Sequence, residues 1–263
     1  MVGKMVRKVP KGSPRHELMA AQKTKSRSVS RVLQVCIDRL VALYQQEDWL
    51  GVEHSGTAFV RQFPHESFGW KLLGSAALQR GEAEKAIAYF CEALTRSPAE
   101  AEIYNNLGVA QRQIKNFDQA ERAFQQALKL RPDYAEAWSN LGNVLGDMNR
   151  HSEAVDCYPK ALALKPNYAV GWNNYANALN MVGRYAEALS SAEKALALIP
   201  TYFEAYSNRG NALKRLGRTE EALTSYRQAL EINPAYANGH NNLGATLKDI
   251  GRLQEAAQHL RQS

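Results

Sequence analysis

The chain has 263 residues, 45% of them apolar, and a formal net charge of +7 at pH 7. No stretch approaches the roughly 20 unbroken apolar residues that a membrane-spanning helix needs, and the positive N-terminus has no apolar segment behind it to make a secretory signal. Three cysteines, Cys36, Cys91 and Cys157, have an odd count and no metal-type spacing. A disulfide framework or a zinc site is therefore not expected, and a cytoplasmic setting is.

The charge lies at one end. Residues 1–31 hold nine Lys or Arg against one acid, Glu17, leaving 24 bases and 25 acids downstream. Residues 1–28 read as a basic, disordered N-terminal tail, too polar to bury a core. The tail has no Phe, Tyr or Trp to stack on bases, so a nucleic-acid partner is not expected.

From Val29 the pattern becomes helical. Val32, Leu33, Cys36, Leu40, Leu43 and Tyr44 recur at helical spacing, and a second helix is expected from Trp49 to Phe63. Residues 29–66 thus form a helix pair, degenerate with respect to the units downstream of it. Leu40 and Val52 stand where those units carry glycine or alanine.

The rest of the chain is periodic. Pro64, Pro98, Pro132, Pro166, Pro200 and Pro234 are each 34 residues apart. The frame defines five complete units, 67–100, 101–134, 135–168, 169–202 and 203–236, and a partial, truncated sixth at 237–263. The fourth place of each unit reads Trp70, Tyr104, Trp138, Trp172, Tyr206 and His240. The eighth reads Gly74, Gly108, Gly142, Ala176, Gly210 and Gly244, and the twentieth is always alanine, from Ala86 to Ala256. The twenty-fourth reads Phe90, Phe124, Tyr158, Ala192, Tyr226 and Leu260. Small residues mark close helix approaches, large ones fill the gaps, and proline stops each unit. Gly81, Gly183, Gly217 and Gly251 suit a left-handed turn between the two helices of a unit, where Lys115 and Asn149 replace glycine. Pro159 falls inside the third unit's second helix, as a tolerated kink or a hinge. Arg209 replaces leucine, with its stem packed and its charge snorkelling outward.

These columns resemble the tetratricopeptide repeat (TPR). The resemblance implies an all-α fold, a right-handed α-solenoid superhelix of stacked antiparallel helix pairs. No unit buries its apolar face alone, so the units depend on their neighbours. The sixth unit would leave Leu253, Ala256, Ala257 and Leu260 as an open stripe, which raises homo-oligomer formation through the C-terminal repeat.

No phosphate loop, His-Glu-x-x-His or Gly-x-Ser-x-Gly is present, and the six histidines are scattered. No enzyme activity, metal or cofactor is expected. The informative polar residues are asparagines. The sixth place reads Asn106, Asn140, Asn174, Asn208 and Asn242, the ninth Asn143, Asn177 and Asn211, and the fifth includes Asn105 and Asn173. Sixth and ninth places share one face of the unit's first helix, which in a TPR superhelix lines the groove. An amide's donors and acceptor match an extended peptide backbone. The expected function is a protein-interaction scaffold gripping a peptide segment of a protein partner through an asparagine ladder. A structural role for the same asparagines is the competing reading. The phrase Ala-Trp-Ser-Asn-Leu-Gly-Asn at 137–143 resembles the TPR arm of O-linked GlcNAc transferases and their SPINDLY-like bacterial relatives. That likeness implies a substrate-recruiting arm whose catalytic domain is absent here. The carboxylate-clamp TPR type is not matched: Lys71 and Asn106 fit two of its places, but Ser75, Ser139 and Asn143 do not fit the rest.

Overall fold

The computed structural model describes the backbone of residues 14–262 and the side chains of residues 30–262. Every element among the described residues is an α-helix, and consecutive helices pack as pairs. The chain forms two compact units, residues 1–98 and 99–263.

The first unit holds α1 (Pro14–Gln45), α2 (Trp49–Gln62), α3 (Ser67–Gln79) and α4 (Ala83–Arg96). Helix α1 begins at Pro14, inside the stretch expected to be a disordered tail; residues 1–13 of that stretch lie outside the described residues. Good helix formers (Glu17, Leu18, Met19, Ala20, Ala21, Gln22) continue the helical preference upstream despite the charge. Leu40, Phe59, Val60 and Leu73 form a buried cluster. Leu40 and Val52 are 1% and 0% exposed, so the larger residues in the small-residue places are core. Asp48 caps α2 by accepting from the Gly51 amide at 2.9 Å.

The second unit holds α5 (Ala101–Gln113), α6 (Phe117–Leu130), α7 (Ala135–Asp147), α8 (His151–Leu164), α9 (Ala169–Met181), α10 (Tyr185–Leu198), α11 (Phe203–Arg215), α12 (Thr219–Ile232), α13 (Ala237–Asp249) and α14 (Leu253–Leu260). Each odd-numbered helix packs on the even-numbered one after it, and each pair packs on the next. Phe124 and Tyr226 are 0% and 1% exposed, and each ring lies against the glycine of its partner helix. A Cβ at Gly210 would stand 2.5 Å from Tyr226 Cε1, closer than any side chain tolerates. In the fourth repeat both partners change together: Ala176 faces the column where Ala192 replaces the ring, and both are fully buried.

The turn between paired helices is the same throughout. Its fifteenth place is left-handed at Gly81, Gly183, Gly217 and Gly251, with φ of 75°, 80°, 79° and 81°. Lys115 (60°) and Asn149 (61°) adopt the same conformation, as does Glu47 (56°), which lies 34 residues before Gly81. A non-glycine residue there costs about 1 kcal/mol. Each turn is closed by a six-residue backbone bond such as Arg150 N–H to Leu145 O at 2.8 Å and Arg184 N–H to Leu179 O at 2.9 Å.

The loops before the third, fourth and sixth repeats are pinned by the fourth-place ring, with His240 bonding Pro234 O in the last. Trp138 Nε1 donates to Pro132 O at 2.9 Å, and Trp172 Nε1 donates to Pro166 O at 2.8 Å. Helix α8 runs unbroken through Pro159, which is exposed, because Cys157, Tyr158, Ala161 and Leu162 bury the turns on both sides of it. Arg209 is half-buried, with its Nε 3.8 Å from Glu193 Oε1.

Candidate functional site

Within the second unit each first helix of a pair touches the next first helix: α5 with α7, α7 with α9, α9 with α11, α11 with α13. No two second helices of this unit pack on each other among the described residues. The asparagine-bearing helices are therefore the crowded wall. Which faces of them stay open is decided by the side chains.

Most sixth-place amides are spent between helices. Asn140 Nδ2 donates to Asn105 Oδ1 at 3.0 Å, Asn208 Nδ2 to Asn173 Oδ1 at 2.9 Å, and Asn242 Nδ2 to the Ser207 hydroxyl at 3.2 Å. Asn105, Asn173 and Asn208 are 6%, 7% and 9% exposed. These three do not offer their amides to a groove. The neighbouring helix lies close enough to take them, and a buried amide left unpaired is costly. Asn106 is half-buried and accepts from Asn105 Nδ2 at 3.2 Å.

The ninth place behaves differently. Tyr158 Oη donates to Asn143 Oδ1 at 2.9 Å, and Tyr226 Oη donates to Asn211 Oδ1 at 2.9 Å. Burial pushes both phenols upward, so each remains a donor at neutral pH. Each bond orients an asparagine carbonyl inward and leaves its amino group on the open side. Asn177 is exposed and Asn174 half-buried; neither makes a side-chain hydrogen bond to another described residue.

Asn143, Asn174 and Asn177 line one cleft of about 520 Å³ between α7 and α9, within the size of ordinary ligand pockets. Tyr158 and Ala178 also line it, and Arg112, Asp147, His151, Gly146 and Met181 lie around it. Arg112 Nε donates to Asp147 Oδ2 at 2.5 Å, which ties α5 to α7 at one rim. The sequence pattern marked the amides but not Arg112, Asp147, Gly146 or Met181; the signal for these is a second pair of places, twelfth and thirteenth, compared across units. Asn211 and Asn242, on α11 and α13, do not line this cleft.

Two other hollows of the second unit lack these amides. One of about 400 Å³ is bounded by Glu100, Ala101, Leu130 and Arg131. The other, of about 440 Å³, is bounded by Pro159, Trp172, Tyr175 and Lys194, with the Lys194 ammonium 4.2 Å from the Trp172 ring centre. No group of three or more His, Cys, Asp or Glu among the described residues could hold a metal ion. Among those residues no helix is long and apolar enough to cross a membrane. Burial raises the Cys157 thiol to about 11, which keeps it an unreactive thiol.

The fold has many counterparts. A tetratricopeptide-repeat protein from Parabacteroides merdae matches with a TM-score of 0.69 at 17% identity, covering 88% of this chain and 91% of that one. Cut9–Hcn1, a hetero-tetramer of the APC/C, matches with a TM-score of 0.74 at 18% identity, covering 85% of this chain and 44% of that one. YrrB, described as a TPR protein with an unusual peptide-binding site, matches with a TM-score of 0.57 at 21% identity, covering 70% and 95%. At these identities the likeness is one of fold. No curated protein sequence matches. Family models described as tetratricopeptide repeat match residues 56–101, 101–134, 135–168, 157–190 and 191–224, and one described as TPR repeat matches 210–251. With those matches running from residue 56 to 251, the chain belongs to the tetratricopeptide-repeat family.

Proposed function

We propose that the chain is a protein-interaction module, and that the wall formed by α5, α7 and α9 holds an extended segment of a partner polypeptide by its main chain. The observation that carries this reading is the convergence of Asn143, Asn174 and Asn177 on one open cleft, with donors unspent inside the protein. A peptide backbone alternates donors and acceptors, and an amide side chain answers both. The sequence frame offers sixth-, ninth- and fifth-place asparagines to the groove. The hydrogen bonds inside the protein favour the ninth place and Asn174 among them. YrrB's description as a peptide-binding TPR protein is in keeping with this use of the fold.

The test is an Asn174→Ala/Asn177→Ala double variant of the full chain, presented with a phage library of random dodecamers. Helicity stays at the wild-type level, since neither amide supports the fold, and peptides enriched on the wild type lose binding. Undiminished binding ends the reading.

The likeness of residues 137–143 to the arm of O-linked GlcNAc transferases fits the same groove, with the held segment then being a substrate delivered to a separate catalytic domain. Self-association through the last helix pair draws support from Leu253, which is 64% exposed, and Leu260, at 39%. Light scattering over a concentration series tests it, and a monomer at every concentration rejects it. The free cysteines Cys36, Cys91 and Cys157 accord with work in the cytoplasm.

A further inference from the structure

The first helices of the second unit are tied to one another by side chains in a repeating manner, and one junction departs from it. Between α5 and α7 the links are Asn140 to Asn105 and Arg112 to Asp147. Between α9 and α11 they are Asn208 to Asn173, and Asn180 Nδ2 to Asn208 O at 2.9 Å. Between α11 and α13 they are Asn242 to Ser207 and Lys214 Nζ to Asp249 Oδ2 at 2.7 Å. Between α7 and α9 neither kind of link is made. No hydrogen bond joins Asn174 to Ser139, and the places that hold an ion pair at the α5–α7 and α11–α13 junctions are Gly146 and Met181 here.

The chemistry left at that junction is specific. A Cβ on Gly146 would meet nothing within 4 Å, so the glycine keeps open space rather than a close contact. Met181, one turn along α9 from Asn177, is 59% exposed, and with Ala178 it gives the cleft an apolar end beside its amides. Methionine is unbranched and polarisable, and it moulds to apolar side chains of varied shape. An exposed methionine and an open glycine position that line one cleft with free amides make a socket for a side chain with main-chain ligands next to it.

We infer that the Gly146–Met181 gap is a specificity subsite, and that it receives one unbranched or γ-branched apolar side chain, Leu or Met, of a partner segment whose backbone is held by Asn174 and Asn177. This deepens the groove reading above and rests on it. The occupant is an extended peptide and not a free apolar ligand, because the apolar end is continuous with the amide-lined part of the same cleft.

The experiment selects random dodecamers on the full chain, then measures each enriched peptide against Gly146→Leu and Met181→Arg by fluorescence polarisation. Both positions are open, so circular dichroism matching the wild type is the entry condition for each variant. Enriched peptides should share one Leu or Met and bind both variants about tenfold or more weakly, the scale of one buried apolar side chain. The 13C-methyl resonance of Met181, assigned by its loss in Met181→Leu, should shift on saturation. Peptides that need Asn174 and Asn177 but carry no apolar anchor, or that bind Gly146→Leu as tightly as the wild type, overturn the subsite and leave the groove standing. A Met181 methyl unmoved by a bound peptide does the same. Failure to enrich any dodecamer overturns both.

Discussion

The Tyr226 hydroxyl on α12 donates to Asn211 Oδ1 on α11 at 2.9 Å, joining the two helices of one repeat. Tyr158 and Asn143 make the same bond two repeats earlier. A buried ring from the second helix therefore sets the orientation of an amide on the open face of the first. Core packing and the orientation of that amide are coupled through one hydroxyl.

Tyr158→Phe keeps the ring against Gly142 and removes only that bond. It is expected to cost about 1 kcal/mol in urea unfolding. It should also release the Asn143 amide and weaken any peptide held in the cleft. Wild-type binding by Tyr158→Phe would show that Asn143 needs no such support.

The two classes of asparagine should separate in a stability measurement. Asn208→Ala strands the buried Asn173 carbonyl oxygen and is expected to cost roughly 1–3 kcal/mol. Asn177→Ala touches no partner and should stay within about 0.5 kcal/mol of wild type. Equal midpoints for the two variants under guanidinium would contradict the assignment.

The glycine and ring columns are expected to behave as one unit. Gly210→Ala forces the Tyr226 ring aside and should destabilise by roughly 1–3 kcal/mol. In a Tyr226→Ala background the same change should cost far less, as the natural Ala176 and Ala192 combination indicates. Thermal melts of the four proteins in the cycle give the coupling. Additive losses would refute it. By contrast Gly146→Ala should raise stability by up to about 1 kcal/mol, since its Cβ meets open space and alanine favours the helix.

The last helix should weaken in acid. His240 Nε2 lies 2.9 Å from Pro234 O, so that nitrogen carries the proton and His240 Nδ1 is free to accept from His259 Nδ1 at 3.1 Å. Burial, then the charges of His240 and Arg227, hold His259 below the usual imidazole range, and Glu255 opposes them. A histidine depressed in the folded state binds fewer protons there than in the unfolded chain. Stability is then present above the unfolded value near 6.5 and declines as pH falls through it. Protection factors of the α14 amides, which remove the intrinsic pH dependence of exchange, should fall between about pH 7.5 and 5, and His259→Leu should remove that fall. Protection factors that are flat with pH in the wild type would reject the coupling.

Much of the fold is legible in the residue spacing. The 34-residue frame marks the helix pairs, and glycine in the fifteenth place marks left-handed turns that the structure has at Gly81, Gly183, Gly217 and Gly251. Lys115 and Asn149 keep the same register because position in the repeat outweighs local preference there. Glu47 obeys it too, although the degenerate pair hides the pattern.

The amino-acid order alone determined the period, the alternation of helix and turn within it and the stripe of each helix that carries amides, because these depend on residue spacing and backbone chemistry along one strand of chain. It could not say what stands opposite that stripe. Only the tertiary structure decided that Asn140, Asn208 and Asn242 turn to the helix beside them, that Asn143 is aimed by Tyr158, and that Asn174 and Asn177 open on a cleft at Gly146 and Met181. Helical periodicity names which side chains share a face. The distance between two helices, set by packing a whole repeat away, determines whether an amide on that face meets its neighbour or remains for a partner.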